Sequence, residues 1–150
     1  MSGFDETFDW VVVGSGAGSM TSALVMRQSG KSVAILEKTP FVGGTTAKSG
    51  GVIWVPANRF MAADGDADSV EEGIRYLESV CEDLPGSNAE KRATYVREAT
   101  RMIDFLVDQG VQLERAETFW PDYYDELPGG CKNTRCVTAS YFDKNELGPQ

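Results

Sequence analysis

The sequence predicts an α/β fold of the doubly wound type, and three observations carry the prediction. Trp10-Val11-Val12-Val13 is a short apolar run rich in β-branched residues, the pattern of a buried parallel strand. It leads directly into Gly14-Ser15-Gly16-Ala17-Gly18-Ser19, a glycine turn at the mouth of a helix. A second apolar run, Ser32 to Leu36, ends on Glu37, 23 positions beyond Gly14. Strand, glycine turn, helix, strand and terminal acid, in this order and near the ~20-residue spacing, form the Rossmann-like unit that binds dinucleotides.

Each position of the turn has its reason. Gly14 permits the sharp bend at the strand end, and Gly16 lets the backbone come close to a pyrophosphate. The amides around Ala17 and Gly18 then open a helix whose N–H groups and positive dipole end favour that anion. Ser19 stands where a glycine or alanine is usual, and is still small enough for close helix–strand packing. The helix is expected over residues 18–28, with Gly30 as its C-terminal cap and Lys31 turning the chain into the second strand. Glu37 is placed to accept from a ribose 2′-hydroxyl.

From Lys38 to Gly51 runs a long loop with two glycine pairs, Gly43-Gly44 and Gly50-Gly51. Its donors are Thr39, Thr45, Thr46, Lys48 and Ser49. Loops of this length in compact domains are functional or disordered, and the apolar residues Val52 to Val55 argue for the former. Two close backbone approaches suit a large flat ligand; the alternative is a flexible connector.

The rest of the chain reads mainly as structure. Residues 58–68 are polar and acidic, a surface loop. Ser69-x-x-Glu72 is a capping box opening a helix whose buried stripe is Val70, Ile74, Leu77 and Cys81. Pro85-Gly86 breaks it, and Ser87-x-x-Glu90 is a second box. The following helix presents Val96, Ala99, Ile103, Leu106 and Val107 and ends at Gly110. Tyr76 and Tyr95 are core or boundary residues of these helices. Val111 to Arg115 is a short strand. Phe119-Trp120-Pro121-Asp122-Tyr123-Tyr124 is either a small hydrophobic cluster or the wall of an apolar pocket; periodicity leaves both open. Gly129-Gly130 and a short run from Val137 to Tyr141 close the pattern.

Composition narrows the function. The 150 residues make one domain's worth of chain, and 41% of them are hydrophobic, enough to bury a core. The net charge of −9, with no basic run, argues against nucleic acid and anionic membrane as partners. No apolar stretch nears the ~20 residues of a membrane span, and Met1 to Thr7 lacks signal-peptide character. Three scattered cysteines, Cys81, Cys131 and Cys136, suit free thiols in the cytoplasm. No histidine accompanies Cys131 and Cys136, so no metal site is expected.

Gly14 to Ser19, Glu37-Lys38, Gly43-Gly44-Thr45-Thr46 and Ser49-Gly50-Gly51 together resemble the FAD-binding half of the flavoproteins grouped with succinate dehydrogenase and fumarate reductase. Val52-Ile53-Trp54-Val55-Pro56 is similar to one branch, the 3-ketosteroid dehydrogenases. The resemblance covers about Phe8 to Gly148. It implies a glutathione-reductase-type FAD-binding domain with added helices, incomplete within residues 1–150. It implies FAD as cofactor: Gly14, Ser15, Gly16, Ala17, Gly18 and Ser19 form the turn, and Glu37 holds the adenosine ribose. Gly43, Gly44, Thr45, Thr46, Ser49, Gly50 and Gly51 line the pyrophosphate and flavin ring, and Lys38, Thr39 and Val52 complete the set.

In that branch a similar Pro-Asp-Tyr-Tyr places its first tyrosine beside the flavin, where it hydrogen-bonds a second, proton-abstracting tyrosine. Carried over, that residue is Tyr123. A free phenol has a pKa near 10, so a tyrosine base needs a neighbour that stabilises its phenolate. The implied reaction is desaturation of a cyclic ketone beside its carbonyl, with a 3-ketosteroid as substrate. The alternatives are a fumarate-reductase-like enzyme, a smaller cyclic ketone, or a non-catalytic FAD-binding subunit. The family's base, its carbonyl-polarising tyrosine and glycine, and its closing FAD strands have no counterpart here. The expectation is therefore an N-terminal portion, with the remainder on a second polypeptide or missing.

Overall fold

β1 (Trp10–Val13) and β2 (Val33–Leu36) pair in parallel, Trp10 opposite Val33 and Val13 opposite Leu36. The crossover between them is α1 (Ala17–Gln28). These residues belong to a computed structural model that describes residues 3, 5–116 and 120–148. Val12 and Ala23 are buried where strand and helix meet. The Trp10 indole N–H donates to Ser22 Oγ (3.1 Å), and the Asp9 carboxylate takes both the N–H and the hydroxyl of Ser32 (2.8 Å each). These contacts lock β1 to α1 and to the start of β2. Gly30, at φ +78°, closes α1 with its N–H on Arg27 O, while the Lys31 N–H reaches Met26 O. Crossed bonds of this kind satisfy orphan carbonyls at a helix end.

The chain divides into two compact units, residues 1–51 and 52–150. In the second, β3 (Ile53–Trp54), β5 (Cys136–Ala139) and β4 (Leu113–Arg115) form an antiparallel sheet in that order. Ile53 lies opposite Val137, and Leu113 opposite Ala139. Helices α2 (Arg59–Ala63), α3 (Val70–Val80) and α4 (Ala89–Asp108) complete the unit. Its core is Val55, Ala99, Ile103 and Val137, with Ile53, Phe60, Met102, Val107 and Leu113 packed around them. Val96, Ala99 and Ile103 of the expected α4 stripe are buried, with Arg92, whereas Leu106 and Val107 are half-buried. Gly73 of α3 sits so close to Pro56 that an added Cβ would lie 2.5 Å from the proline Cβ.

Several expectations are corrected. Residues 58–68 are not a plain surface loop: they hold α2 and two buried anchors. Asn58, fully buried, caps α2 by accepting from the Phe60 and Met61 N–H groups (3.1 Å each), and its Nδ2 donates to Val55 O (2.8 Å). The Asp68 side chain is buried in an ion pair. Polar residues that satisfy backbone donors or a charge go inside as readily as apolar ones. The second capping box is also displaced. Asn88, not Ser87, caps α4, its Oδ1 accepting from the Lys91 N–H (2.9 Å). Ser87 is held by two backbone bonds to Leu84 across Pro85-Gly86 (2.9 Å each). Ser69 does cap α3, accepting from the Glu72 N–H (3.1 Å). The α3 face is shifted, because Gly73 and Tyr76 are the buried residues, whereas Val70, Ile74, Leu77 and Cys81 are half-buried. β3 has no sequence expectation behind it, and the last strand is Cys136–Ala139 rather than a run to Tyr141.

Candidate functional site

In the first unit the glycine turn, Glu37 and the loop that follows are knitted together through Ser15. Gly14, at φ +88°, donates its N–H to Leu36 O (2.7 Å), joining the turn to the end of β2. Ser15 is buried. Its N–H donates to Glu37 Oε2 (3.1 Å), its hydroxyl makes a short hydrogen bond to the same oxygen, and its Oγ accepts from the Gly43 N–H (2.8 Å). The Thr39 N–H donates to the other carboxylate oxygen, Oε1 (2.9 Å). The Ser15 hydroxyl first, and the Thr39 N–H next, hold the Glu37 pKa down to about 2. The Thr39 hydroxyl also lies 3.1 Å from Oε1, so Ser15 and Thr39 together present four donors to the about four acceptor positions of the carboxylate.

Thr46 Oγ1 accepts from the Ala17 N–H (3.1 Å), docking the loop on the opening turn of α1. Gly43, at φ +108°, has no room for a side chain: a Cβ would lie 2.5 Å from Ala47 Cβ. Gly16 is different. Its φ of −68° suits any residue, and a Cβ there would meet nothing of the chain nearer than Thr46 Oγ1 at 3.7 Å. A glycine that the fold does not require leaves an open cradle over the helix mouth. Gly16 also makes no side-chain cap, and the N–H groups of Gly18 and Ser19 have no acceptor among the described residues. Ser19 turns its hydroxyl to Val13 O (3.3 Å). Thr45 precedes a 3-10 turn, Thr46–Lys48, and Ser49 closes it, donating to Thr46 O (2.8 Å) and accepting from the Gly51 N–H (3.1 Å). Lys38 and Gly50 are exposed at the edge of this assembly, and Val52 belongs to the second unit.

In the second unit the aromatic segment lines a cavity of about 810 Å³, together with Trp54, Tyr76, Leu77 and Val80. Phe119 lies outside the described residues. Tyr123 is 98% exposed, yet its neighbours are fixed. Asp122 is buried and accepts from Trp54 Nε1 (2.6 Å), Arg135 Nη1 (2.7 Å) and the Cys131 N–H (3.0 Å). The Tyr124 N–H donates to the Tyr76 hydroxyl oxygen (3.2 Å).

Arg135 is the centre of this arrangement. Its side chain is buried and pairs with Asp68 (2.7 and 2.9 Å) as well as Asp122, and donates to Gly129 O (2.9 Å). Its guanidinium lies over the Trp54 and Tyr76 rings, 5.7 and 5.9 Å from their centroids. Burial works against its charge, but the hydrogen bonds and charges of Asp68, with the charge of Asp122, outweigh it and raise its pKa. Sequence reasoning missed Arg135 and Asp68, and gave Trp54 no role beyond its place in the Val52 to Pro56 resemblance. Asp122 offered the one signal: a charge inside an aromatic, proline-stiffened run needs a partner if the run is buried.

A parallel βαβ unit with a glycine turn, an uncapped helix mouth and a carboxylate on the second strand defines a dinucleotide-binding protein. The chain belongs to the FAD binding domain family, whose model matches residues 9–148. It is 38% identical to the 3-oxosteroid 1-dehydrogenase of Mycolicibacterium smegmatis over 96% of this chain and 25% of that protein. It is 36% identical to the 4-oxocyclohexanecarboxylate 2-dehydrogenase of Sinomonas cyclohexanicum over 88% of this chain and 23% of that one. Among solved structures, the 3-ketosteroid delta1-dehydrogenase of Sterolibacterium denitrificans superposes with a TM-score of 0.80 at 34% identity, over 94% of this chain and 24% of that one. The chain thus spans about a quarter of the length of these relatives. No helix among the described residues is long and apolar enough to cross a membrane.

FAD is the cofactor, and the first unit fits it. The cradle at Gly16 and the open amides of Gly18 and Ser19 suit a pyrophosphate.

Proposed function

We propose that this chain supplies the FAD site and a supporting tyrosine of an enzyme that desaturates a cyclic ketone beside its carbonyl, the ketone being a 3-ketosteroid. The observation that carries this reading is Tyr123, presented on the Pro121-Asp122-Tyr123-Tyr124 segment at the rim of an apolar, aromatic cavity. A cavity of about 810 Å³ is within the range of small-molecule sites, and its walls are indole, phenol and aliphatic groups suited to a fused-ring hydrocarbon. FAD, when bound, accepts the hydride. Tyr123 donates a hydrogen bond to a proton-abstracting tyrosine and so favours its phenolate. The relatives named for dehydrogenating 3-oxosteroids and an oxocyclohexane support this class of substrate.

In the same reading, Gly14 to Ser19, Glu37, Lys38, Thr39, Gly43 to Thr46, Ser49 to Gly51 and Val52 are the cofactor-binding residues. Residues 1–150 are then the N-terminal part of a doubly wound FAD-binding domain in the cytoplasm. The base, the carbonyl donor and the remaining strands belong to the rest of the enzyme, carried on a second polypeptide or missing from these 150 residues. The apolar side chains that β1 and β2 leave exposed, Val13 and Leu36 above all, support a larger sheet. The test is to purify the native complex, record its flavin spectrum and subunit masses, and add a 3-ketosteroid without oxygen. Bleaching of the flavin is expected. Bleaching by a simple cyclic ketone but by no 3-ketosteroid would overturn the steroid assignment; bleaching by neither would overturn the desaturase.

A further inference from the structure

The Tyr123 backbone is held from both sides. Before it, Asp122 is fixed by Arg135, Trp54 and Cys131, and its own N–H donates to Cys131 O (3.0 Å). After it, the Tyr124 N–H rests on the Tyr76 hydroxyl. Trp54 is itself held, with Tyr95 stacked on its ring at 6.3 Å and the Tyr95 hydroxyl donating to Trp54 O (2.7 Å). Gly129, which accepts from Arg135, is wedged on α3: a Cβ there would lie 2.5 Å from Tyr76 N. Between these two anchors, the Tyr123 side chain stands out into open space.

We propose that Tyr76 and Arg135 are positioning residues for Tyr123, the first by holding the Tyr124 N–H and the second by holding the Asp122 carboxylate. The inference rests on the reading above, in which the Tyr123 hydroxyl takes part in the reaction. The anchors on Asp122 and Tyr124 fix where the Tyr123 side chain starts, and groups that act on a reaction must be held within about half an ångström. Stability alone explains the arrangement poorly. A buried arginine with two carboxylates is often matched or bettered by apolar residues of the same volume. What an apolar core lacks is a set of directional bonds on the residues flanking Tyr123.

The test uses the flavin-loaded complex containing this chain, with Tyr76→Phe, Tyr123→Phe and the double variant. Tyr76→Phe removes one oxygen and keeps the ring against Trp54. It is expected to slow anaerobic flavin reduction by a 3-ketosteroid on the order of two- to tenfold, with KM unchanged. Amide hydrogen exchange at Tyr124 should quicken. In the Tyr123→Phe background the same change should cost no further rate, since the hydroxyl it aims is gone. Trp54→Phe and Arg135→Lys should show the same pattern. Rate losses that multiply in the double variant, or a Tyr76→Phe rate equal to the parent while Tyr123→Phe is slow, would overturn the positioning role alone. A Tyr123→Phe rate equal to the parent would overturn the reading beneath it.

Discussion

The Ser15 hydroxyl donates to Glu37 while its oxygen accepts from the Gly43 N–H, so one buried side chain ties the glycine turn, the second strand and the following loop together. The carboxylate held in this way titrates near pH 2 rather than at its ordinary 4.5.

A depressed folded-state pKa sets the sign of the pH dependence. Glu37 contributes stability that is fully present above its unfolded pKa, ordinarily 4.5, and that is lost as pH falls through about 2. Glu37→Gln should therefore flatten the fall of melting temperature between those two pH values. Ser15→Ala should bring the carboxyl pKa back up toward its ordinary value, read from its carbon chemical shift. A Glu37 that titrates normally in the parent protein would contradict the hydrogen-bond arrangement.

Gly16 and Gly43 should respond oppositely to alanine. At Gly16 the chain leaves space and the backbone is ordinary, so Gly16→Ala should melt as the parent does yet fail to retain FAD. At Gly43 the backbone is left-handed and Ala47 occupies the space, so Gly43→Ala should lower the melting temperature itself. Circular dichroism melts and the flavin absorbance of the purified variants separate the two. A yellow, fully loaded Gly16→Ala protein would show that the turn faces elsewhere.

The turn was legible because its parts are local. Strand, glycines and Glu37 fall within one βαβ unit, and spacing alone brings them together. Capping was legible to within one residue: Ser87 and Asn88 are adjacent and both capable, and only the Leu84–Ser87 bonds decide between them. The Arg135 centre was not legible. Its partners lie 67 and 13 positions away, at no helical or strand period, and Asp68 sits in a stretch whose acidity reads as surface. Long-range pairing of buried charges leaves no local pattern.

That centre makes a stability prediction. Arg135→Ala leaves the Asp68 and Asp122 carboxylates buried without their cation. Breaking a buried pair by removing one partner costs about 3–5 kcal/mol. Denaturant unfolding should show a loss of that order, whereas Arg101→Ala, which removes an exposed pair with Glu98, should cost less than about 1 kcal/mol. Equal small losses would mean that the buried carboxylates find other partners.

Tyr123 carries the functional claim. Tyr123 is 98% exposed, so Tyr123→Phe should leave folding, FAD retention and steroid affinity intact. What it removes is a hydroxyl that favours the phenolate of a base. General-base contributions run to about 10²–10⁴-fold, and a supporting group should lose less, on the order of tenfold. Because the effect acts on the base's pKa, the deficit should shrink as pH rises toward that pKa, where the base ionises without help. The measurement is stopped-flow flavin reduction without oxygen, across pH, for both proteins in the assembled complex with a 3-ketosteroid. A deficit independent of pH would place Tyr123 in substrate orientation instead of proton transfer, and equal rates at neutral pH would remove it from the reaction.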